Sequence, residues 1–114
     1  MPHTSERERK ALAMLGFAAR ARKTVVGVEL LCHAMQAGGA QAPLVVLEAC
    51  DGSPNTQKRI GDRTAFYGVP RHRLSLTAQE LAKTVGKANG VVAAVGVTDT
   101  QLAKAILALL AVEE

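Results

Sequence analysis

The chain has 114 residues, long enough for one domain (1–114) with a sizeable core and too short for two. Apolar residues make up 48% and aromatic residues 3%, so the core is aliphatic, and base stacking on aromatic platforms of the RNP-motif or OB-fold kind is disfavoured. The formal charge is +4, and the cations are partly clustered (Arg7/Arg9/Lys10, Arg20/Arg22/Lys23, Lys58/Arg59/Arg63, Arg71/Arg73) while the acids are scattered, a pattern that suits an anionic partner.

Ser5-x-x-Glu8 has capping-box spacing and starts a first helix. Leu12, Leu15 and Ala19 fall on its inner face, with Arg7, Arg9 and Lys10 mostly off it. Ala18 to Ala21 allow close packing, and the helix fades near Lys23, where β-branched residues begin. Thr24 to Val26 is a short strand. Gly27 then opens a helix with Val28, Leu31, Cys32 and Met35 at helical spacing, closed by Gly38-Gly39. A glycine at that start lets another backbone come close, and the first free N–H groups of the helix form an anion site. Arg20, Arg22 and Lys23 add charge to the same point, so a phosphate backbone is the natural occupant.

After Pro43, the apolar run Leu44 to Ala49 reads as a strand buried on both faces. Asp51-Gly52-Ser53-Pro54 is a turn into a helix, with Ser53 as N-cap and Pro54 at the first helical position. That helix carries Lys58, Arg59 and Arg63 outward and Ile60 and Tyr67 inward, and ends at Gly68 and Pro70. Arg71 to Leu76 alternates and reads as a more exposed strand, with Arg71 and Arg73 as solvating charges. Thr77-x-x-Glu80 is a second capping box, opening a short helix with Leu81 and Val85. Gly86, Lys87 and an Asn89-Gly90 turn follow. Gly90 to Val97 reads as a central strand. Thr98-x-x-Gln101 caps a last helix with Leu102, Ala105, Ile106, Leu109 and Leu110 as its stripe. Alternating helices and buried strands predict an α/β fold, a three-layer α/β/α sandwich with a small, mixed or parallel sheet of about four strands.

Cys32 and Cys50 lie in apolar surroundings without metal spacing, and read as buried, reduced thiols. The segment MPHTSERERK is charged where a signal peptide would be apolar, and no run approaches a membrane span, so a cytoplasmic protein is expected. Neighbouring helical residues point about 100° apart, so Cys32 and His33 are no nucleophile–base pair. His3, His33 and His72 have no metal spacing. Asp51 reads as a turn residue, because an earlier strand end supplies no further acids to hold Mg²⁺. Gly96-Val97-Thr98 is neither a P-loop nor a dinucleotide fingerprint. No catalytic constellation, cofactor or metal is expected.

From the Gly27 corner through LVVLEA, SPNTQKRI, FYGVPRHRL and TAQELAKTVGK to GVVAAVGVTD, residues 10–110 resemble the L-seven-Ae/L-thirty-e ribosomal protein family, and its bacterial homologues most. The resemblance implies an α/β/α sandwich that binds kinked RNA along one edge. It implies Lys23, Thr24, Gly27 and the first helical turn, with Val28 and Glu29, at RNA phosphates and bases, and His33 where the family usually has lysine. Val97, Thr98 and Asp99 would form the opposing loop, its apolar part against an extruded nucleotide, while Arg20 and Arg22 dock on the backbone. Strong kink-turn binders carry an Asn-Glu pair where this chain has Glu29 and Leu30. Leu30 accepts no hydrogen bond and Glu29 lacks an amide donor, which favours generic structured RNA, kink-turn or ribosomal, through phosphate contacts. A monomer is expected, and an alternative is a protein-interaction module that has lost specific RNA binding and docks a ribosome- or RNA-processing partner. A third is the RNA-recognition half of a modification enzyme whose catalytic domain lies on another chain.

Overall fold

Helix ends follow the terminal chemistry of the chain. In the computed structural model, which describes residues 5–87 and 89–111, the order is α1 (Glu6–Arg20), β1 (Thr24–Val26), α2 (Val28–Ala37), β2 (Val45–Glu48), α3 (Pro54–Tyr67), β3 (Arg71–Arg73), α4 (Ala78–Thr84), β4 (Ala94–Val97) and α5 (Thr100–Ala111). Ser5, Ser53 and Thr77 cap α1, α3 and α4, and the Thr77–Glu80 box is reciprocal. The box expected at α1 is only half formed. Glu8 donates its N–H to Ser5, but its carboxylate instead accepts from the Ser75 N–H (2.7 Å) and hydroxyl (3.0 Å). At α5 the cap is Asp99 rather than Thr98: its carboxylate accepts the Leu102 N–H at 2.9 Å. An anion at a helix start gains from the dipole as well as the hydrogen bond.

The strands lie in the order β1-β4-β2-β3, with β4 antiparallel to β1 and β2, and β2 parallel to β3. The expected central strand is there, but shorter. Only Ala94–Val97 pairs, and Gly90 to Ala93 run outside the sheet, with Val91 exposed and Val92 buried. One sheet face packs Val45, Leu47 and Val95 against Leu15, Leu81 and Ile106; the other packs Val46 and Ala94 against Leu31, Met35 and Ile60. Helices therefore cover both faces of a four-stranded mixed sheet. A Cβ on Gly96 would lie 2.6 Å from both Leu31 and Pro43, so only glycine lets α2 sit this close to β4.

Three side chains depart from expectation. Glu48, inside the run read as apolar, is fully buried; Arg71, read as a solvating charge, donates to it through Nε at 2.7 Å and to the Gln57 carbonyl through Nη2 at 3.2 Å. Gly61 makes room for that guanidinium, because a Cβ there would meet Arg71 Nη1 at 2.9 Å. The pairing needs β3 beside β2, which no local pattern reveals. Cys32 is buried as expected. Cys50 is exposed, because it lies beyond the end of β2 in a turn at the sheet rim.

Breaking a buried ion pair from one side leaves a charge uncompensated. Arg71→Met should lower stability by about 3 kcal/mol, whereas Arg73→Met, at an exposed position, should stay within about 0.5 kcal/mol. Urea unfolding of the two variants checks the difference.

Candidate nucleic-acid interface

The β1–β4 pairing sorts the expected site residues between two sheet rims. Thr24 faces Val97 and Val26 faces Val95, with Thr98 N–H donating to the Lys23 carbonyl (2.9 Å) and Gly27 N–H to the Ala94 carbonyl (3.0 Å). Arg20, Arg22, Lys23 and Thr24 thus share one rim with Thr98 and Asp99. Gly27, Val28 and Glu29 stand at the other, beside the segment that enters β4. Three strand residues set the rims about 10 Å apart. The cations therefore stand apart from the α2 N-terminus, beside which the sequence suggested them, at the opposite rim.

The cationic rim is built on the end of α1. Arg22 N–H donates to the Ala19 carbonyl (3.1 Å) and Lys23 N–H to the Ala18 carbonyl (2.8 Å), the paired bonds of a Schellman ending. α3 and α4 end the same way with glycine at the left-handed position, Gly68 (φ 69°) and Gly86 (φ 83°). At α1 that position is Arg22, at φ 62°, which among the described residues is the one non-glycine with positive φ. An L-residue there costs about 1–2 kcal/mol. Arg20, Arg22 and Lys23 are all exposed and, among the described residues, form no ion pair. Arg20 lies 5.9 Å over the Phe17 ring, which steadies its guanidinium.

The partners expected opposite Gly27 are misplaced. Val97 is fully buried in the sheet, so it cannot pack against a nucleotide, and the Asp99 carboxylate is engaged as the α5 cap. Both sit at the cationic rim because β4 runs antiparallel to β1. The segment nearer Gly27 is Gly90 to Ala93, where Val91 is 75% exposed. Sequence reasoning missed it by folding these residues into the strand; Asn89-Gly90 was the available signal for a loop.

Gly27 has φ 99° and ψ 151°, a conformation open almost solely to glycine. Nothing lies within 4 Å of where its Cβ would be, so the ground in front of it is open. No side chain caps α2, leaving its first-turn N–H groups directed outward. Glu29, beside them, is engaged: Arg59 of α3 grips its carboxylate at 2.8 and 3.1 Å. That hydrogen bond, then the Arg59 charge, holds the Glu29 carboxyl below its ordinary value, with smaller contributions from His33 and Arg63. Leu30, the next residue, is 59% exposed. His33 is exposed one turn further along α2, close enough for its charge to act on the Glu29 carboxyl.

A helix-covered mixed sheet with a cationic rim and an uncapped helix start belongs to a class of small α/β/α domains. The fold matches the Giardia lamblia 15.5kD RNA binding protein with a TM-score of 0.75 at 12% identity, covering 96% of this chain and 88% of that one. It also matches a Bacillus halodurans protein of unknown function, with a TM-score of 0.79 at 29% identity, over 90% of this chain and 98% of that one. No family model matches the sequence. The RNA-binding protein YlxQ of Bacillus subtilis (strain 168) is 38% identical over 97 residues, 85% of this chain and 91% of its own length. YlxQ of Enterococcus faecium is 34% identical over 95 residues, 83% of this chain and 85% of its own. The chain belongs to the YlxQ family.

Replacing Gly27 by alanine should lower stability by about 1–3 kcal/mol through backbone strain. Arg22→Gly should instead raise it by up to about 1 kcal/mol, since relief of the left-handed strain exceeds the added chain entropy. Thermal unfolding reads both. Because the folded Glu29 carboxyl is depressed, its contribution is present above the ordinary carboxylate value and lost as pH falls through the lowered one. Arg59→Gln should therefore change unfolding at neutral pH and leave it unchanged in strong acid.

Proposed function

We propose that the protein is a non-catalytic, cytoplasmic RNA-binding protein of the L-seven-Ae/L-thirty-e type, which docks structured RNA along the open edge of β1 as a monomer. The observation that carries this is Arg22, an exposed, unpaired cation kept where the backbone favours glycine. An outlier retained against its conformational cost is a marker of use. Two relatives above 30% identity are named as RNA-binding proteins, which supports the same ligand.

Arg20, Arg22 and Lys23 take phosphates at one rim, the α2 N-terminus takes another across β1, and Thr24 and Thr98 lie beside the first group. β1 is an edge strand, so nothing in the sheet stands between the two points. Such contacts position a nucleic acid without reading it. Glu29 is held by Arg59 and Leu30 has no acceptor, so sequence reading at the first turn of α2 is weak, and structured RNA, ribosomal RNA included, is the ligand class rather than a kink-turn alone. A second reading, docking of a ribosomal or RNA-processing protein, is favoured by the exposed Leu30 and Val91 at the Gly27 rim.

The test is binding to a kink-turn RNA and to a matched straight duplex across a range of salt. Neutralising about three phosphates gives a log–log salt slope of about −3. Arg22→Glu with Lys23→Glu should abolish most binding and flatten that slope. Preference for the kinked RNA would support recognition of the family's ligand, and equal, salt-sensitive binding a generic contact. Salt-insensitive binding would overturn the phosphate mechanism, and no binding to either RNA at low salt would overturn the proposal in favour of protein docking.

A further inference from the structure

The outer face of α3 carries a feature that the β1 edge does not use. Phe66 is 79% exposed, in a chain with three aromatic residues, and its ring packs edge-to-face with Tyr67, at 4.8 Å between centroids. Arg59, Arg63 and Phe66 fall at i, i+4 and i+7 and so share one helix face. Arg63 and Phe66 line a shallow depression with Asp62 and Tyr67. Asp62 is neutralised by Lys58 at 2.9 Å and Arg59 by Glu29, which leaves Arg63 without an ion pair among the described residues. His33 of α2 and Arg63 each lie close enough for their charges to act on the Glu29 carboxyl.

The stripe is also placed to continue from the proposed RNA edge. The Glu29–Arg59 fork joins the first turn of α2 to α3, and Phe66 lies seven residues, about 10 Å, further along the helix. A cation next to an exposed aromatic plane, leading away from a phosphate site, is the chemistry that holds single-stranded nucleic acid. A protein partner would not need the unpaired guanidinium beside the ring.

We infer that this face binds a single-stranded segment flanking the structured RNA, with one unpaired base stacked on Phe66 and a backbone phosphate on Arg63. The low aromatic content disfavours a platform of several rings, but one exposed ring suffices for one base. This presupposes RNA at the β1 edge, and the experiment separates the two. The probes are the same kink-turn RNA with and without a short single-stranded uridine extension.

The extended RNA should bind the native chain about tenfold tighter than the trimmed one, the scale of one stacked base. Phe66→Ala should erase that difference and leave the trimmed RNA unaffected, and Arg63→Gln should reduce the salt slope for the extended RNA by about one. The chain has no tryptophan, so Phe66→Trp supplies a single reporter at an exposed site, and its fluorescence should be quenched by the extended RNA and not by the trimmed one. Equal affinities for the two RNAs, an equal loss for both in Phe66→Ala, or an indole fluorescence in Phe66→Trp that ignores the extension would overturn the inference while leaving RNA binding at β1 standing. Failure of both RNAs to bind the native chain would overturn the two together.

Discussion

A ladder of three residue pairs between β1 and β4 holds the whole candidate surface in place. Because β4 is antiparallel to β1, the end of α1 is tied to the start of α5, and Gly27 is tied to the segment that enters β4. The ladder depends in turn on Gly96, where any side chain would push α2 off the sheet. A short edge strand, fastened at both ends, becomes a spacer between the cationic rim and the α2 N-terminus.

Charge pairing decides which of the many cations remain for a partner. Arg71 is committed to buried Glu48, Arg59 to Glu29 and Lys58 to Asp62. Arg20, Arg22 and Lys23 form no ion pair among the described residues, and at Arg22 the backbone accepts a left-handed conformation that α3 and α4 give to glycine. Among the described residues Arg63 on α3 is likewise unpaired, as are Arg7, Arg9, Lys10, Arg73, Lys83, Lys87 and Lys104, so the corner at one rim is distinguished by the backbone of Arg22 and not by a lack of acids alone. Of the ion pairs, Arg71–Glu48 serves the fold, because a buried carboxylate without a partner is far costlier than an exposed cation without one, while the two exposed pairs add little to stability.

The chain belongs to the YlxQ family and shares its fold with a distant RNA-binding protein. Agreement in fold leaves the reading residues free to differ. Here the first turn of α2 offers backbone N–H groups, a carboxylate already held by arginine and an exposed leucine. Such a turn is suited to holding RNA more than to reading its bases.

The sequence by itself determined what local physics controls. Ser53-Pro54 and Thr77-x-x-Glu80 start helices because their partners lie within one turn, and Gly27 and Gly68 mark helix ends because few other residues adopt their angles. Runs without polar alternation marked β2 and β4, and with the helical periods they were enough for the sandwich. Tertiary structure alone decided the rest, since each remaining feature joins residues far apart in the chain. Glu48 is stable inside an apolar run only once Arg71 arrives from β3. Glu8 leaves its own helix start because Ser75 offers two donors. Val97 to Asp99 fall away from Gly27 because pairing direction, which composition does not encode, places opposite ends of β1 and β4 together.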